Sequence, residues 1–121
     1  MEDEVRPYRV WWDDAAGVAR AEWAKGAVCR IEEAQGLDAG VAALGHGEVP
    51  TLVNIRQMAS IDRASREFFM DTATFSAVAL LAGSAATRMM ANFFLGLKRG
   101  GNPTKMFTVE SEAIAWLQAQ R

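Results

Sequence analysis

The sequence predicts an α/β fold in which a mostly parallel sheet carries an antiparallel hairpin at its N-terminal end and about four helices. Three observations lead to this prediction. Two short strand-forming runs stand next to each other near the start of the chain. Strand-like and helix-like segments then alternate, an order typical of parallel strands joined by right-handed crossovers. A continuous apolar run, AVALLA at 77–82, has the length and composition of a strand covered on both faces.

Length and composition indicate one globular domain. The chain has 121 residues, so residues 1–121 are predicted to form a single domain. Apolar residues make up 50% and charged residues 23%, far from the composition of disordered chains. A net charge of -2 gives no general attraction to nucleic acid or to an anionic membrane. Because neither a secretory signal nor an apolar stretch of membrane-spanning length is evident, we expect a cytoplasmic protein.

The first third of the chain contains the hairpin and one helix. Residues 8–12 and 18–23 are strand-forming runs separated by a turn sequence, which indicates a hairpin. Over residues 31–44 apolar side chains recur every three or four positions, the spacing of one helix face. Gly36 and Gly40 each cost this helix about 1 kcal/mol relative to alanine. The helix is therefore expected to depend on tertiary packing.

The rest of the chain alternates strands with helices. The predicted strands are 51–55, 77–82 and 105–108, and the predicted helices are 62–71, 84–97 and 111–120. In the helix at 84–97, the side chains of Met89, Met90, Phe93 and Phe94 lie in one apolar half of the helical wheel. The sequence therefore predicts an amphipathic surface helix, whose apolar residues either contribute to a contact with another protein or pack on the sheet.

This order of elements resembles the SpoIIAA-like fold, which STAS domains and anti-sigma factor antagonists share. Six segments and Arg88 resemble an uncharacterised bacterial group within that fold. The segments are LVNIR at 52–56, IDR at 61–63, ALLAGS at 79–84, NFFLGL at 92–97, PTKMFT at 103–108 and AIAWL at 113–117. The resemblance implies a single SpoIIAA-like, STAS-like domain from a bacterium. Because that group has no settled activity, the resemblance implies a fold rather than a function.

The resemblance also bears on regulation by phosphorylation. In anti-sigma factor antagonists, the corresponding loop carries Asp-Ser at the start of a helix, and a kinase phosphorylates the serine. Here Asp62 matches the aspartate, but Arg63 occupies the serine position. The nearest hydroxyl groups, on Ser60 and Ser65, do not match that position. The sequence therefore argues against a phosphoswitch of the usual kind.

Two polar segments are predicted to follow parallel strands at the edge where ligands gather in open α/β sheets. Helix N-termini and arginine side chains both favour bound anions. A small anionic ligand is therefore predicted to contact seven residues, Ser60, Asp62, Arg63, Arg66, Gly83, Ser84 and Arg88. The alternative is structural and is the more frequent arrangement: the aspartate and Ser84 cap their helices, and the arginines pair with nearby carboxylates.

No group of residues indicates catalysis, a metal site or a cofactor. His46 lies between two glycines and is expected on the surface. Cys29 stands beside Arg30, which can lower a thiol pKa, but a small buried residue is the favoured interpretation. One cysteine and one histidine cannot complete a zinc site. Asp13 and Asp14 are typical of a hairpin turn, so a protein that is not an enzyme is expected.

Two functional hypotheses remain. The first is a non-enzymatic module that binds protein, either a second copy in a homodimer or a regulatory partner, with Trp11 and Leu95 as interface residues. The second is a binder of a small anionic or lipid-like ligand at the carboxyl edge of the sheet, because domains resembling this fold include nucleotide-binding and lipid-carrying examples. An apolar pocket that the protein's own side chains do not fill would favour the second hypothesis.

Overall fold

The computed structural model describes residues 6–97 and 101–120, which form seven strands and four helices. The strands are β1 (Tyr8–Asp13), β2 (Val18–Trp23), β3 (Val28–Cys29), β4 (Val49–Asn54), β5 (Ser60–Ile61), β6 (Phe75–Leu81) and β7 (Thr104–Phe107). The helices are α1 (Ile31–Ala42), α2 (Arg63–Asp71), α3 (Ala85–Leu97) and α4 (Glu110–Ala119). Within these ranges, no helix combines the length and the apolar composition that a bilayer span requires.

The main sheet has five strands in the order β1, β2, β4, β6, β7. β1 pairs with β2 in antiparallel orientation, and each following neighbour pairs in parallel. The predicted α/β fold, with a mostly parallel sheet, an N-terminal antiparallel pair and four helices, is confirmed. β3 and β5 form a separate parallel pair that the sequence did not predict, because two-residue strands carry no readable periodicity.

Helices cover both faces of the main sheet. The parallel strands advance in one direction across the sheet, so right-handed crossovers place α1, α2 and α3 on the same face. α4 follows the last strand and packs on the other face, where Ala113 and Leu117 join a core with Leu52 and Leu81. The result is three layers with a separate apolar core on each side of the sheet.

The glycine-containing helix α1 ends at Ala42, two residues before the predicted end. The glycine at position 36 is explained by packing, because a Cβ at this position would collide with the Tyr8 hydroxyl group. The glycine lets β1 approach α1 closely, and the packing of Tyr8 and Val10 against the core compensates for its low helix propensity. Gly45 follows with a φ of 81°, a backbone conformation that favours glycine.

The surface helix predicted at 84–97 is present as α3, and only part of its apolar half faces the sheet. The helix faces the sheet through Thr87 and Ala91, which are 2% and 1% exposed. Met89 and Phe93 lie two positions further along, about 200° around the helix, and are 71% and 55% exposed. Because the small residues Thr87 and Ala91 make the contact with the sheet, only some of the apolar residues of α3 pack on it.

Candidate ligand site

A cavity of about 290 Å³ lies between the main sheet and the helices α1, α2 and α3. Its sheet side is formed by apolar side chains from three strands and the residue after β4: Trp23, Val53, Ile55, Val78 and Leu80. Its helix side is formed mainly by Leu37 of α1, Phe69 and Met70 of α2, and Met90 and Phe94 of α3. The cavity is therefore continuous with the larger of the two apolar cores.

Strand β6 shows how the cavity arises. Its side chains alternate between the two faces, and those directed at α4, Ala77, Ala79 and Leu81, are 0% exposed. Val78 and Leu80, directed at the cavity, are only partly buried although β6 has a neighbour on each side. The sequence prediction that this strand is covered on both faces is thus incomplete, because the helix layer leaves space above these two side chains.

Polar residues are concentrated at one rim of the cavity. Asp71 ends α2 and Thr72 follows it, while Asn102 precedes β7 and Thr104 begins it. This rim therefore lies near the amino ends of β6 and β7. The Thr72 hydroxyl group donates to a carboxylate oxygen of Asp38 at 2.6 Å, and the Asn102 amide donates to the carbonyl of Phe75. The lining is therefore apolar inside and polar at this rim, an arrangement suited to a ligand with at most one polar end.

The predicted anion residues on α2 make structural contacts. Asp62 caps the helix, its Oδ1 accepting a hydrogen bond from the Ser65 backbone at 2.8 Å. Hydrogen bonds from the side chain and backbone of Ser65 hold the pKa of Asp62 below its ordinary value. Arg63 pairs with Glu67 at 3.1 Å on the exposed surface, and Ser60 is exposed in β5.

Arg66 has a different environment. Its Nη1 donates to the carbonyl of Ile61 at 2.9 Å, and its guanidinium lies over the ring of Phe93, 5.0 Å from the ring centroid. Its buried Nε has no hydrogen-bond partner among the described residues. Arg66 thereby connects α2 to the outer side of α3.

The second predicted segment forms the start of α3. Ser84 Oγ accepts from the backbone N–H of Thr87 at 3.1 Å, and the Gly83 N–H donates to Thr87 Oγ1 at 3.0 Å. Arg88 is exposed. Both helix starts are therefore capped by the protein's own side chains, as the structural alternative expects. None of the seven predicted ligand residues is among the described residues that line the cavity, and anion binding by them stays a prediction.

The predicted interface residues are only partly accessible. Trp11 lies beneath two guanidinium groups, with the Cζ of Arg9 at 4.7 Å and that of Arg20 at 5.5 Å from its ring centroid. Leu95 is also partly buried. Neither observation tests an interface, so both assignments stay predictions.

The residues weighed for catalysis occupy structural positions. Burial raises the pKa of the Cys29 thiol to about 11, which contradicts the alternative of a thiol activated by its neighbouring arginine. The cysteine ends β3, directly before Arg30, the N-cap residue of α1. Exposed His46 stacks on Trp12, with ring centroids 3.7 Å apart. Asp13 closes the hairpin by accepting from the Ala16 N–H, which lowers its pKa.

Sequence reasoning missed the cavity because its lining residues are ordinary core types. Val78, Leu80, Met90 and Phe94 were correctly placed in a strand or a helix, but nothing in their spacing shows whether their side chains meet. A signal that would have helped is the small size of Thr87 and Ala91 along α3. These residues bring the helix to the sheet without filling the space beside them.

One solved structure shares this architecture. An uncharacterised Shewanella loihica PV-4 protein of the DUF3478 family, described with a SpoIIAA-like fold, matches with a TM-score of 0.63 and 12% identity, over 97% of this chain and 98% of that one. A protein of unknown function from Arthrobacter sp. FB24 is 34% identical over 89% of this chain and 90% of that one, with a TM-score of 0.35. No curated protein matches the chain.

The fold is thus SpoIIAA-like, as the sequence predicted. The family model named Domain of unknown function (DUF7793) matches residues 11–121. Because this match covers nearly the whole chain, the protein belongs to the DUF7793 family.

Proposed function

We propose that this protein binds a small, mainly apolar molecule in the cavity between the main sheet and helices α1 to α3. The observation that carries the proposal is a cavity of about 290 Å³ lined mainly by apolar side chains. Ligand pockets begin at roughly 300 Å³, and an apolar cavity of about 150 Å³ is enough to hold benzene. The expected ligand therefore has roughly ten to fifteen non-hydrogen atoms.

The chemistry of the lining defines the ligand class. Apolar surface that moves from water into the cavity contributes about 25 cal/mol per Å², so the apolar part of the ligand supplies most of the affinity. Asn102 and Thr104 at the rim can exchange hydrogen bonds with one hydroxyl, amide or similar group. A medium-length acyl chain or a fused-ring compound with one polar end has this form.

A fluorescent probe tests the proposal directly. 1-Aminoanthracene is a flat apolar molecule of the expected size, and Trp23 in the cavity wall can transfer excitation energy to it. We expect saturable binding by the wild type. We also expect Val78→Phe, which places a ring in the cavity, to weaken binding at least about tenfold, because a filled pocket excludes the probe.

The matched control is Val109→Phe, the same substitution at a position that is 44% exposed and outside the cavity lining. This variant should bind the probe like the wild type. Equal binding by wild type and Val78→Phe, or the absence of saturable binding, would contradict the proposal. Native mass spectrometry of protein purified gently from cells would further show whether a natural ligand stays bound.

A homodimer is the second candidate function, and the exposed apolar side of α3 favours it. Met89 and Phe93 are the large exposed apolar side chains described on that helix. Partly buried Leu95, two positions after Phe93, lies about 200° further around the helix and therefore away from this side. A dimer through the exposed side should dissociate when Met89 or Phe93 is replaced by glutamate, because a charge opposes burial of the surface. Multi-angle light scattering of wild type, Met89→Glu and Phe93→Glu tests this, and a monomeric wild type would exclude this candidate.

A further inference from the structure

We infer that a polar recess at the carboxyl edge of the sheet is a second ligand site, one that takes a small molecule carrying a phosphate or carboxylate group. This site is separate from the apolar cavity and consists of residues that the sequence did not indicate. It lies where parallel strands β2 and β4 end and where antiparallel strand β1 begins, at the edge that binds ligands in open α/β sheets.

The recess is open and has a volume of about 680 Å³. Among the described residues that line it, three are arginines, Arg6, Arg9 and Arg56, and one is acidic, Glu22. The remaining lining includes the polar side chains of Tyr8, Asn54 and Gln57. The described lining therefore carries an excess of positive charge, although the whole chain has a net charge of -2.

The one carboxylate among the described lining residues is already engaged. Glu22 accepts from Arg9 at 3.1 Å through Oε1 and from the side-chain amide of Asn54 at 3.1 Å through Oε2. Arg9 stands opposite Glu22 in the register of β1 and β2, so this pair is fixed by the sheet itself. Glu22 is consequently occupied by Arg9 and Asn54 and does not compete with a ligand for Arg56.

Arg56 is the residue best placed to hold an anion. Its Nε and its backbone N–H both donate to Oδ1 of Asn54, at 3.1 and 3.0 Å. These two hydrogen bonds fix the position and the plane of the guanidinium group. Its Nη2 lies 4.0 Å from Glu110, beyond hydrogen-bonding distance, and Glu110 is closer to Arg20 at 2.9 Å. The outer N–H groups are thus oriented without a hydrogen-bond acceptor among the described residues, as two-point binding of an oxyanion requires.

Gly83 supports this arrangement. A Cβ at position 83 would lie 3.3 Å from Cγ of Arg56, tighter than an ordinary contact, so glycine provides the space in which the arginine extends. Gly83 was predicted to contact an anion through its own backbone. Its N–H instead donates to Thr87, and its contribution to this site is the room that it leaves for Arg56.

The recess and the cavity share one wall. Trp23 lines both and is only 4% exposed, and Tyr8 packs against it edge to face with ring centroids 5.3 Å apart. Binding in the recess is therefore expected to change Trp23 fluorescence. Filling the cavity by Val78→Phe should leave anion binding intact, which separates a failure of this site from a failure of the cavity.

Titration with pyrophosphate and with citrate, followed by calorimetry and tryptophan fluorescence, tests the site. We expect saturable binding of at least one of these anions, weakened about tenfold or more by Arg56→Gln, because a hydrogen-bonded charge is lost. Arg9→Gln should weaken binding less, since that side chain is 73% exposed and already paired. Its exposure also means that the fold does not depend on it. A preference for one anion distinguishes phosphate from carboxylate recognition.

Arg63→Gln is the matched control, because it removes an exposed arginine of the originally predicted anion site and leaves the recess unchanged. It should bind like the wild type. If Arg63→Gln weakens binding while Arg56→Gln and Arg9→Gln do not, the anion does not bind in the recess. The helix N-termini are then the better candidate site. No saturable binding of either anion at millimolar concentration would also overturn the inference.

Discussion

The two faces of the main sheet are both covered by helices, but only one of them is closely packed. On the α4 face, Leu52, Ala79, Leu81 and Leu117 are at most 1% exposed. On the other face, Val78 and Leu80 of the same strand β6 remain partly exposed beside a cavity of about 290 Å³. Adjacent residues of one strand therefore belong to environments with different packing.

The difference follows from how the helices are attached. α4 comes after the last strand and is free to settle on the sheet through Ala113 and Leu117, both 0% exposed. α1, α2 and α3 each connect two parallel strands, so the positions of those strands restrict where the helices lie. A single helix can approach until its contacts are filled, whereas three tethered helices leave space between them. The α4 face thus supplies packing stability, and the opposite face supplies room for a ligand.

The largest effect is expected from neighbouring leucines of β6. Leu81→Ala should lower the free energy of unfolding by roughly 2–5 kcal/mol, because it leaves a void in a filled core. Leu80→Ala should cost less than half as much, since its side chain already borders empty space. Urea unfolding followed by circular dichroism measures both. Equal losses would show that the two faces are packed alike.

Substitutions by larger side chains should change the free energy of unfolding in opposite directions on the two faces of the sheet. Ala79→Leu adds volume where no space exists and should destabilise the protein by roughly 1–3 kcal/mol. Val78→Phe adds volume beside the cavity and should stabilise it by roughly 0.5–2 kcal/mol. Thermal unfolding of the two variants tests the comparison. If Val78→Phe destabilises the protein as much as Ala79→Leu does, the cavity cannot accept a ring.

Cys29 gives a smaller effect that depends on pH. Its pKa rises from 9.0 to about 11 in the folded state, mainly through burial. A raised thiol pKa stabilises the folded state fully below about pH 9, and this contribution is lost as the pH rises through about 11. The free energy of unfolding of the wild type should therefore fall more steeply between these pH values than that of Cys29→Ala. Parallel pH profiles would contradict the assignment.

Asp62 should give the smallest effect, and in the opposite pH range. Its lowered pKa means that the ionised cap stabilises α2 above about pH 4, and that this contribution is lost as the pH falls through the folded value. Asp62→Asn keeps an oxygen acceptor for Ser65 but removes the charge. Its melting temperature should lie slightly below that of the wild type near pH 6 and converge with it in acid. A constant difference at all pH values would exclude a role of the charge.

Much of the fold and little of the site follow from local sequence. The hairpin, the alternation of strands and helices and the cap at Asp62 depend on neighbouring residues, and each was predicted. The recess includes Arg9 and Arg56, which are 47 positions apart in the sequence. They line one surface only because β1 begins at the sheet edge where β4 ends. Local sequence patterns contain no information on such proximity, which depends on strand order and register.

By itself, the sequence determined the five strands of the main sheet and the four helices, because periodicity, capping and turn chemistry act over a few residues. It also determined the α/β architecture, since alternating elements leave few ways to bury their apolar faces. Only the tertiary structure decided how closely the helices approach the sheet. That distance depends on the combined shapes of side chains from different elements, such as Ala91 and Leu80, and it sets whether apolar residues fill a core or line a cavity.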